Sequence, residues 1–452
     1  MASMILRRDF LRHASLTAGA AALSSAVPLL GLPPSNPSPH RPPTPRFPIG
    51  DPAWHVTWEA ALAVLAGNVR KMPRYSHPVL VEGSTYAGIW QECAPQEGLV
   101  YGLLQQYVDT PPGSPTPLQI ARANHMAFFA QQKEDGQLPA SIKLADPVGT
   151  TGGYGQIQMV VPIAATAWEL VQQTRDDELL QTAYTSCSRW DGWLRRYRDT
   201  RKTGLIEGFC TYDTGHDNSP RWKGIPNRCP DADARKCPPD PTMPRLCPDL
   251  SATVYGGRIA LAAMAQALGK TNDHARWLAD AEHIRQLILK KLYSPEDGAF
   301  YDLDAQNRFV RVRGDVITRV LGERVVDPVK DREIFENVWN KQLHNPKAFW
   351  GPYPFPSIAM DDPTFVRPIP RNSWGGASQA LTALRAPRWM AYYGKQAEMK
   401  HMMRQWCAAI MRHTEFRQQM DPLTGDFTQP DPGGYSPAAL VFLEFAHRLS
   451  NG

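Results

Sequence analysis

Tyr255–Leu268 reads YGGRIALAAMAQAL, and Asp273–Tyr293, just beyond it, reads DHARWLADAEHIRQLILKKLY. The first stretch holds a single charge, Arg258, and a helix drawn through it is small or apolar on nearly every side, as a buried helix is. In the second, Leu278, Ala281, Ile284, Leu287 and Ile288 recur at helical spacing with Arg, Lys and Glu between them, so one face is wet. Only the Gly269-Lys270-Thr271 turn separates the two kinds. The same contrast recurs earlier. Gln158–Leu170 is of the buried kind, while Asp176–Tyr197 is polar-faced, with Asp176, Asp177 and Glu178 where a helix dipole favours acids and arginines crowding the end.

Working outward, the chain gives six pairs, each a polar-faced helix followed by a buried one. They fall near 55–70 and 93–107, 117–133 and 155–173, 176–198 and 250–268, 272–293 and 314–322, 328–343 and 373–385, and 394–415 and 434–449. No run reads convincingly as a strand. Connections from buried to polar helices are short, as at Gln173-Thr174-Arg175, and those from polar to buried helices are long. Alternate connections of an up-down array lie at opposite ends of it, so the long loops share one face. Four of them open alike: Asp135-Gly136-Gln137-Leu138, Thr203-Gly204-Leu205, Asp297-Gly298-Ala299-Phe300 and Thr424-Gly425-Asp426-Phe427. Glycine often ends helices, but this recurrence marks a structural repeat. Six such pairs close into an all-α (α/α)6 toroid, a six-hairpin barrel whose long loops form a bowl.

Composition agrees with a folded chain: of 452 residues, 42% are hydrophobic and 21% charged, too apolar for disorder. The 42 prolines, 33 glycines and 13 tryptophans suit long ordered loops bearing aromatic rings. A net charge of +5 without a basic run argues against a nucleic-acid partner. Residues 1–26 read as a twin-arginine signal: Arg7-Arg8-Asp9-Phe10-Leu11-Arg12, a weakly apolar stretch, then the small residues Ser24-Ser25-Ala26. Export through the twin-arginine machinery to the periplasm or cell exterior is expected. Residues 27–50 are a proline-rich spacer and 51–452 the globular domain. No transmembrane segment is expected in the mature chain, since nothing later approaches ~20 continuous apolar residues.

The chemistry belongs in the bowl. Thr211–Trp222 reads TYDTGHDNSPRW. Its GHDNSPRW portion closely resembles the signature of inverting (α/α)6-barrel glycosidases, the group of trehalases, mannosyl-oligosaccharide glucosidases and bacterial mannosylglycerate or glucosylglycerate hydrolases. Four further pieces look similar and occur in the family's order: Asp135–Pro139 (DGQLP), Gly351–Ser357 (GPYPFPS), Asn372–Gly376 (NSWGG) and Asp421–Gly425 (DPLTG). The resemblance spans most of residues 80–450. It implies a carbohydrate substrate, an α-glucoside, α-mannoside or small glycoside, and no cofactor.

By that resemblance Asp217 is the general acid, which must be held protonated beside the leaving oxygen. Burial or a neighbouring carboxylate would raise its pKa, and Asp213 is the neighbour the sequence offers. The plainer alternative is an Asx turn before Pro220 with Arg221 in an ordinary ion pair. The family's base, a glutamate four residues before the proline of its Asp-Pro-x-Thr-Gly loop, is here Gln418. An amide can orient a water but cannot take its proton. The candidates for a moved base rank as Asp421, Glu415, then Glu92, Asp362 and Asp426.

Sugars offer apolar faces and hydroxyl rings, so Trp90, Trp222, Trp350, Tyr353 and Trp374 are candidate platforms. His216, Asn218 and Arg221 flank the acid as candidate hydrogen-bonding groups. The family often has an aspartate after the first-loop tryptophan; here Trp90-Gln91-Glu92 makes Glu92 its replacement. Cys93, Cys187 and Cys407 fit helical patterns as buried thiols, while Cys210, Cys229, Cys237 and Cys247 share one loop. No C-x-x-C pair exists, so one or two disulfides are expected there rather than a metal. Thr150–Gly155, glycine-rich but without a following Lys, reads as a tight helix entry and not a phosphate loop. Two other functions stay open: a sugar-binding protein of this fold lacking a base, or another (α/α)6 carbohydrate-active enzyme, such as a lyase or epimerase with His216 as base.

Overall fold

The computed structural model describes residues 52–72, 75–144, 152–429 and 433–451. The twin-arginine segment and the proline-rich spacer lie outside the described residues. Among the described residues twelve α-helices form six pairs: α1 Pro52–Asn68 and α2 Ala94–Leu103, α3 Pro117–Ala130 and α4 Ile163–Thr174, α5 Asp177–Tyr197 and α6 Pro248–Ala267, α7 Thr271–Lys291 and α8 Val316–Gly322, α9 Arg332–Val338 and α10 Ala380–Met390, α11 Gln396–His413 and α12 Ser436–Asn451. The second members form an inner ring. α2 packs on α4, α4 on α6, α6 on α8, α8 on α10, α10 on α12, and α12 returns to α2. The (α/α)6 toroid is closed.

Burial follows the two sequence patterns. In α6 nearly every side chain from Pro248 to Ala265 is buried, whereas α7 buries only Trp277, Ala281, Ile284 and Ile288, with Leu278 and Leu287 at the edge. The Asp176 carboxylate caps α5 by accepting from Leu179 N at 2.8 Å, and Arg195 and Arg196 close its last turn. No helix among the described residues is long and apolar enough to cross a membrane.

The repeated glycines do more than end helices. Gly136, Gly204 and Gly298 all have positive φ, and each lies against the next outer helix: a Cβ would stand 2.6 Å from Arg189 O of α5, 2.7 Å from Leu287 Cδ1 of α7 and 2.8 Å from Asn337 O of α9, respectively. The fourth, Gly425, meets the Tyr353 ring instead.

Several boundaries differ from the sequence reading, because the bowl claims residues that looked helical. α4 begins at Ile163 with Pro162 as its N-cap, and Gly152–Gly153 pairs as a short strand with Ser141–Ile142 rather than opening a helix. α10 starts at Ala380, since Ser378–Gln379 pairs with Gln419–Met420. α9 is cut to Arg332–Val338 and continues as a π turn over Trp339–Leu343. The strands are two or three residues long and lie in the connections.

Candidate active site

The loop between α5 and α6 carries Asp217 on a rigid mount. Arg198, fully buried just past α5, forms an ion pair with Asp213, whose carboxylate also accepts from Phe209 N at 2.7 Å and Ile157 N at 2.9 Å. Asp213 is therefore a bracket for the Thr211–Thr214 turn and not the neighbour that tunes Asp217. Glu92 is that neighbour. Its Oε2 lies 1.7 Å from where a Gly215 Cβ would be, so only glycine fits there. Burial first, then the Glu92 charge, raise Asp217 to about 7, against the opposing donation from Asn372. Glu92 is itself raised by burial and held down by Arg385 and Arg319.

A chain of side chains runs from Asp217 across the bowl. Asn372 donates Nδ2 to Asp217 Oδ2 at 2.9 Å, Gln418 donates Nε2 to Asn372 Oδ1 at 3.1 Å, and Tyr86 donates its hydroxyl to Gln418 Oε1 at 2.8 Å. Asn218 donates to the Asn372 carbonyl at 2.7 Å, and Trp374 N to the Asp217 carbonyl at 3.0 Å. Position 418 is thus linked to Asp217 through one asparagine.

The residues flanking the acid are committed to the protein. Every N–H of Arg221 is used: two bonds to Asp249, two to Asp302, and one from Nη1 to His216 Nδ1 at 2.9 Å. Arg221 has no donor left for a sugar, a correction to its expected role. His216 accepts from Arg221 at Nδ1, so the other ring nitrogen carries the hydrogen and donates to Asp315 at 2.6 Å. Burial lowers its pKa to about 4, and with both nitrogens filled it can be neither substrate contact nor lyase base.

The aromatics divide. Trp90 is half-buried, edge-on to Tyr86 at 5.6 Å, and packs with Trp374, whose ring meets His216 at 5.1 Å. Trp222 is sealed between Arg221 and Arg245, with its Nε1 donating to Thr214. Trp350 lies among Trp339, His344 and His401, rings of the outer-helix side, and Tyr353 packs on Gly425 and Arg412. Burial removes Trp222 from the platform, while Trp350 and Tyr353 are partly buried and spend their faces on outer-side rings and on the Gly425 turn.

A family model describing the mannosylglycerate hydrolase MGH1-like glycoside hydrolase domain matches residues 117–437. The chain belongs to this family. It is accordingly a glycosyl hydrolase, with the fold expected of one. The search of curated proteins found no match. Among solved structures, the GH63 mannosylglycerate hydrolase from Thermus thermophilus in complex with glucose is 19% identical, with a TM-score of 0.63 over 86% of this chain and 99% of that one. Its complex with Tris and D-glycerate gives 18% and 0.64 over the same shares. The neutral trehalase of Saccharomyces cerevisiae gives 14% and 0.60 over 86% and 81%.

Within this family member the carboxylates considered for a moved base are tied down. Asp421 accepts from Arg367 Nε at 3.0 Å and Leu423 N at 2.8 Å, shaping its own turn. Glu415 is half-exposed and paired with Arg417 at 2.6 Å, which lowers its pKa. Asp362 holds Thr364 and Arg313 N, and Asp426 is an exposed partner of Arg412. Sequence reasoning did not single out Glu82, Tyr86 or Gln158, the last a hydrogen-bond partner of Glu92, and met Asn372 only at the head of the NSWGG piece. A signal existed for Glu82, a carboxylate directly after the apolar run Val79-Leu80-Val81.

Among the described residues two groups have metal-ligand residue types, Cys210–Asp213–Cys229 and Cys247–Asp249–Asp302. Each already encloses a guanidinium, Arg198 in the first and Arg221 in the second, where a cation would stand.

Proposed function

We propose that the chain is an exported inverting glycosidase in which Asp217 protonates the leaving oxygen of an α-linked mannosyl or glucosyl group on a small acceptor such as glycerate. One observation carries the acid role: a carboxyl held at about 7 by burial and Glu92, on a fixed loop, with Asn372 orienting it. Such a group keeps its proton in about half of the molecules near pH 7, as an unshifted carboxyl would not, and gives it up readily. The sugar and acceptor rest on the family's description and on the glucose and D-glycerate complexes of the Thermus protein. Trp90, half-buried and backed by the buried Trp374, is the apolar wall for the ring. The occupied nitrogens of His216 weigh against a lyase.

In this reading residues 1–26 direct export, 27–50 space the domain from the signal, and 51–452 form one catalytic unit. The test is a panel of mannosylglycerate, glucosylglycerate and α-linked disaccharides with anomer-resolved product detection. A first-formed β-anomer from one of these supports the proposal; a first-formed α-anomer contradicts it. Replacing Arg7 and Arg8 with Lys should hold the protein in the cytoplasm, and unchanged fractionation would contradict export.

A further inference from the structure

Position 418 offers no proton acceptor, so an inverting reaction with Asp217 as acid, the reading on which this inference rests, needs a carboxylate elsewhere on the far side of the sugar. Glu92 stands on the acid's own side, against Gly215. Glu82 stands on the side of Gln418. Tyr86, whose hydroxyl donates to Gln418, packs its ring 5.9 Å from that of Tyr435, and the Tyr435 hydroxyl donates to Glu82 Oε1 at 2.6 Å. The backbone there is bolted down. Glu82 N donates to Gly88 O at 3.0 Å, Ser436 N donates to Glu82 O at 2.8 Å, and Gly83 bridges to both Tyr86 and Tyr435. Glu82 is 3% exposed and, among the described residues, accepts at Oε1 alone, whereas both oxygens of Glu97 behind it are enclosed without a donor.

We infer that Glu82 is the general base of this protein, moved from position 418 to the adjoining turn, and that its Oε2 takes the proton of the attacking water. The water oxygen bonds to the anomeric carbon as the bond to the leaving oxygen breaks. One proton passes from water to Glu82, one from Asp217 to the leaving alcohol, and solvent resets both carboxyls. The groups facing Glu82 are Glu97, Glu92, Asp217, Cys93, Tyr86 and Tyr435. Burial raises both Glu82 and Glu97. Burial, then the Glu97 and Glu92 charges, hold Glu82 well above the usual carboxylate range against the Tyr435 hydroxyl, so it acts as base in its ionised fraction, which grows with pH.

The test uses the full chain with α-mannosyl and α-glucosyl fluoride, which need no acid. Glu82→Ala should lower turnover by about 10²–10⁴-fold. Sodium azide, a nucleophile that needs no base, should restore at least about tenfold of this and give the β-glycosyl azide. Glu82→Gln, which keeps the Tyr435 bond and the fold, should be equally slow. Retention of turnover within about threefold in both variants overturns the inference. So does azide without effect on a Glu82→Ala chain that melts like the wild type. A third contrary result is a wild type silent on both fluorides but activated by Gln418→Glu, which means the base was lost rather than moved. The acid reading fails separately: Asp217→Asn then loses glycoside and fluoride turnover alike while the Glu82 result stands.

Discussion

Asn372 donates its amide to the carboxyl of Asp217 at 2.9 Å, and in doing so works against the burial and the Glu92 charge that raise it. A donor to the charged form lowers a carboxyl's pKa. Asn372→Gly, chosen because φ is 44° at this residue, removes that donor without backbone strain. The pH profile of kcat/KM should fall above about pH 7 in the wild type, as Asp217 loses its proton, and the fall should move to higher pH in the variant. Profiles with coincident alkaline limbs would separate Asn372 from the tuning of Asp217.

The same raised carboxyl costs stability. Its folded pKa, about 7, exceeds that of the unfolded chain, so its contribution is full below about pH 4 and is lost as pH rises toward 7. Asp217→Asn has no proton to lose. Its melting temperature should match the wild type near pH 4 and exceed it by a few degrees near pH 8. Calorimetry at the two pH values checks the sign, and a variant less stable at pH 8 contradicts it.

Gly136 has φ 99° and lies 2.6 Å, measured from an added Cβ, from the Arg189 carbonyl of α5. Gly136→Ala adds left-handed strain of roughly 1–2 kcal/mol and a clash with backbone that cannot yield. We expect a loss of about 2–4 kcal/mol in chemical denaturation. Gly192, on α5 with open space around its missing Cβ, is the control: Gly192→Ala should be neutral or stabilising.

Of the four loop thiols, Cys210 and Cys229 stand closest, with sulfurs 3.6 Å apart in a small apolar cluster beside Cys237. Under oxidising conditions Cys210–Cys229 should be the first cross-link, strapping the Asp213 bracket. Peptide mapping without reduction reads the pairing, and a dominant bond through Cys247 would contradict it.

How much of this was legible follows from where the signals are local. Helical period and charge placement in α5, α6 and α7 are properties of single segments, and the ring could be drawn from them. The glycine device was legible as a repeat, but its cause, contact with the next outer helix, is a tertiary fact. Asp217 stood out through its motif. Its tuning did not, because Asp213 is near in sequence while Glu92 is near only in space. Arg221 looked like a ligand group until Asp249, Asp302 and His216 were seen to use all its donors. Trp222 occurs in loop sequence and yet is buried, and Trp350 and Tyr353 are partly packed away, since a bowl needs packed walls as well as a lining. Glu82 was hidden because its partners, Tyr435 and Ser436, come from the far end of the chain.

Proton donation from Asp217 to the leaving group can be read from one variant on two substrates. The measurement is kcat for Asp217→Asn on mannosylglycerate, or whichever natural glycoside the panel identifies, beside kcat on the matching α-glycosyl fluoride. The alcohol must be protonated to leave and fluoride need not be. Turnover of the glycoside should therefore drop by about 10²–10⁴-fold while that of the fluoride stays within about tenfold of the wild type. An equal loss on both substrates would contradict the acid role and make Asp217 a structural residue of its loop.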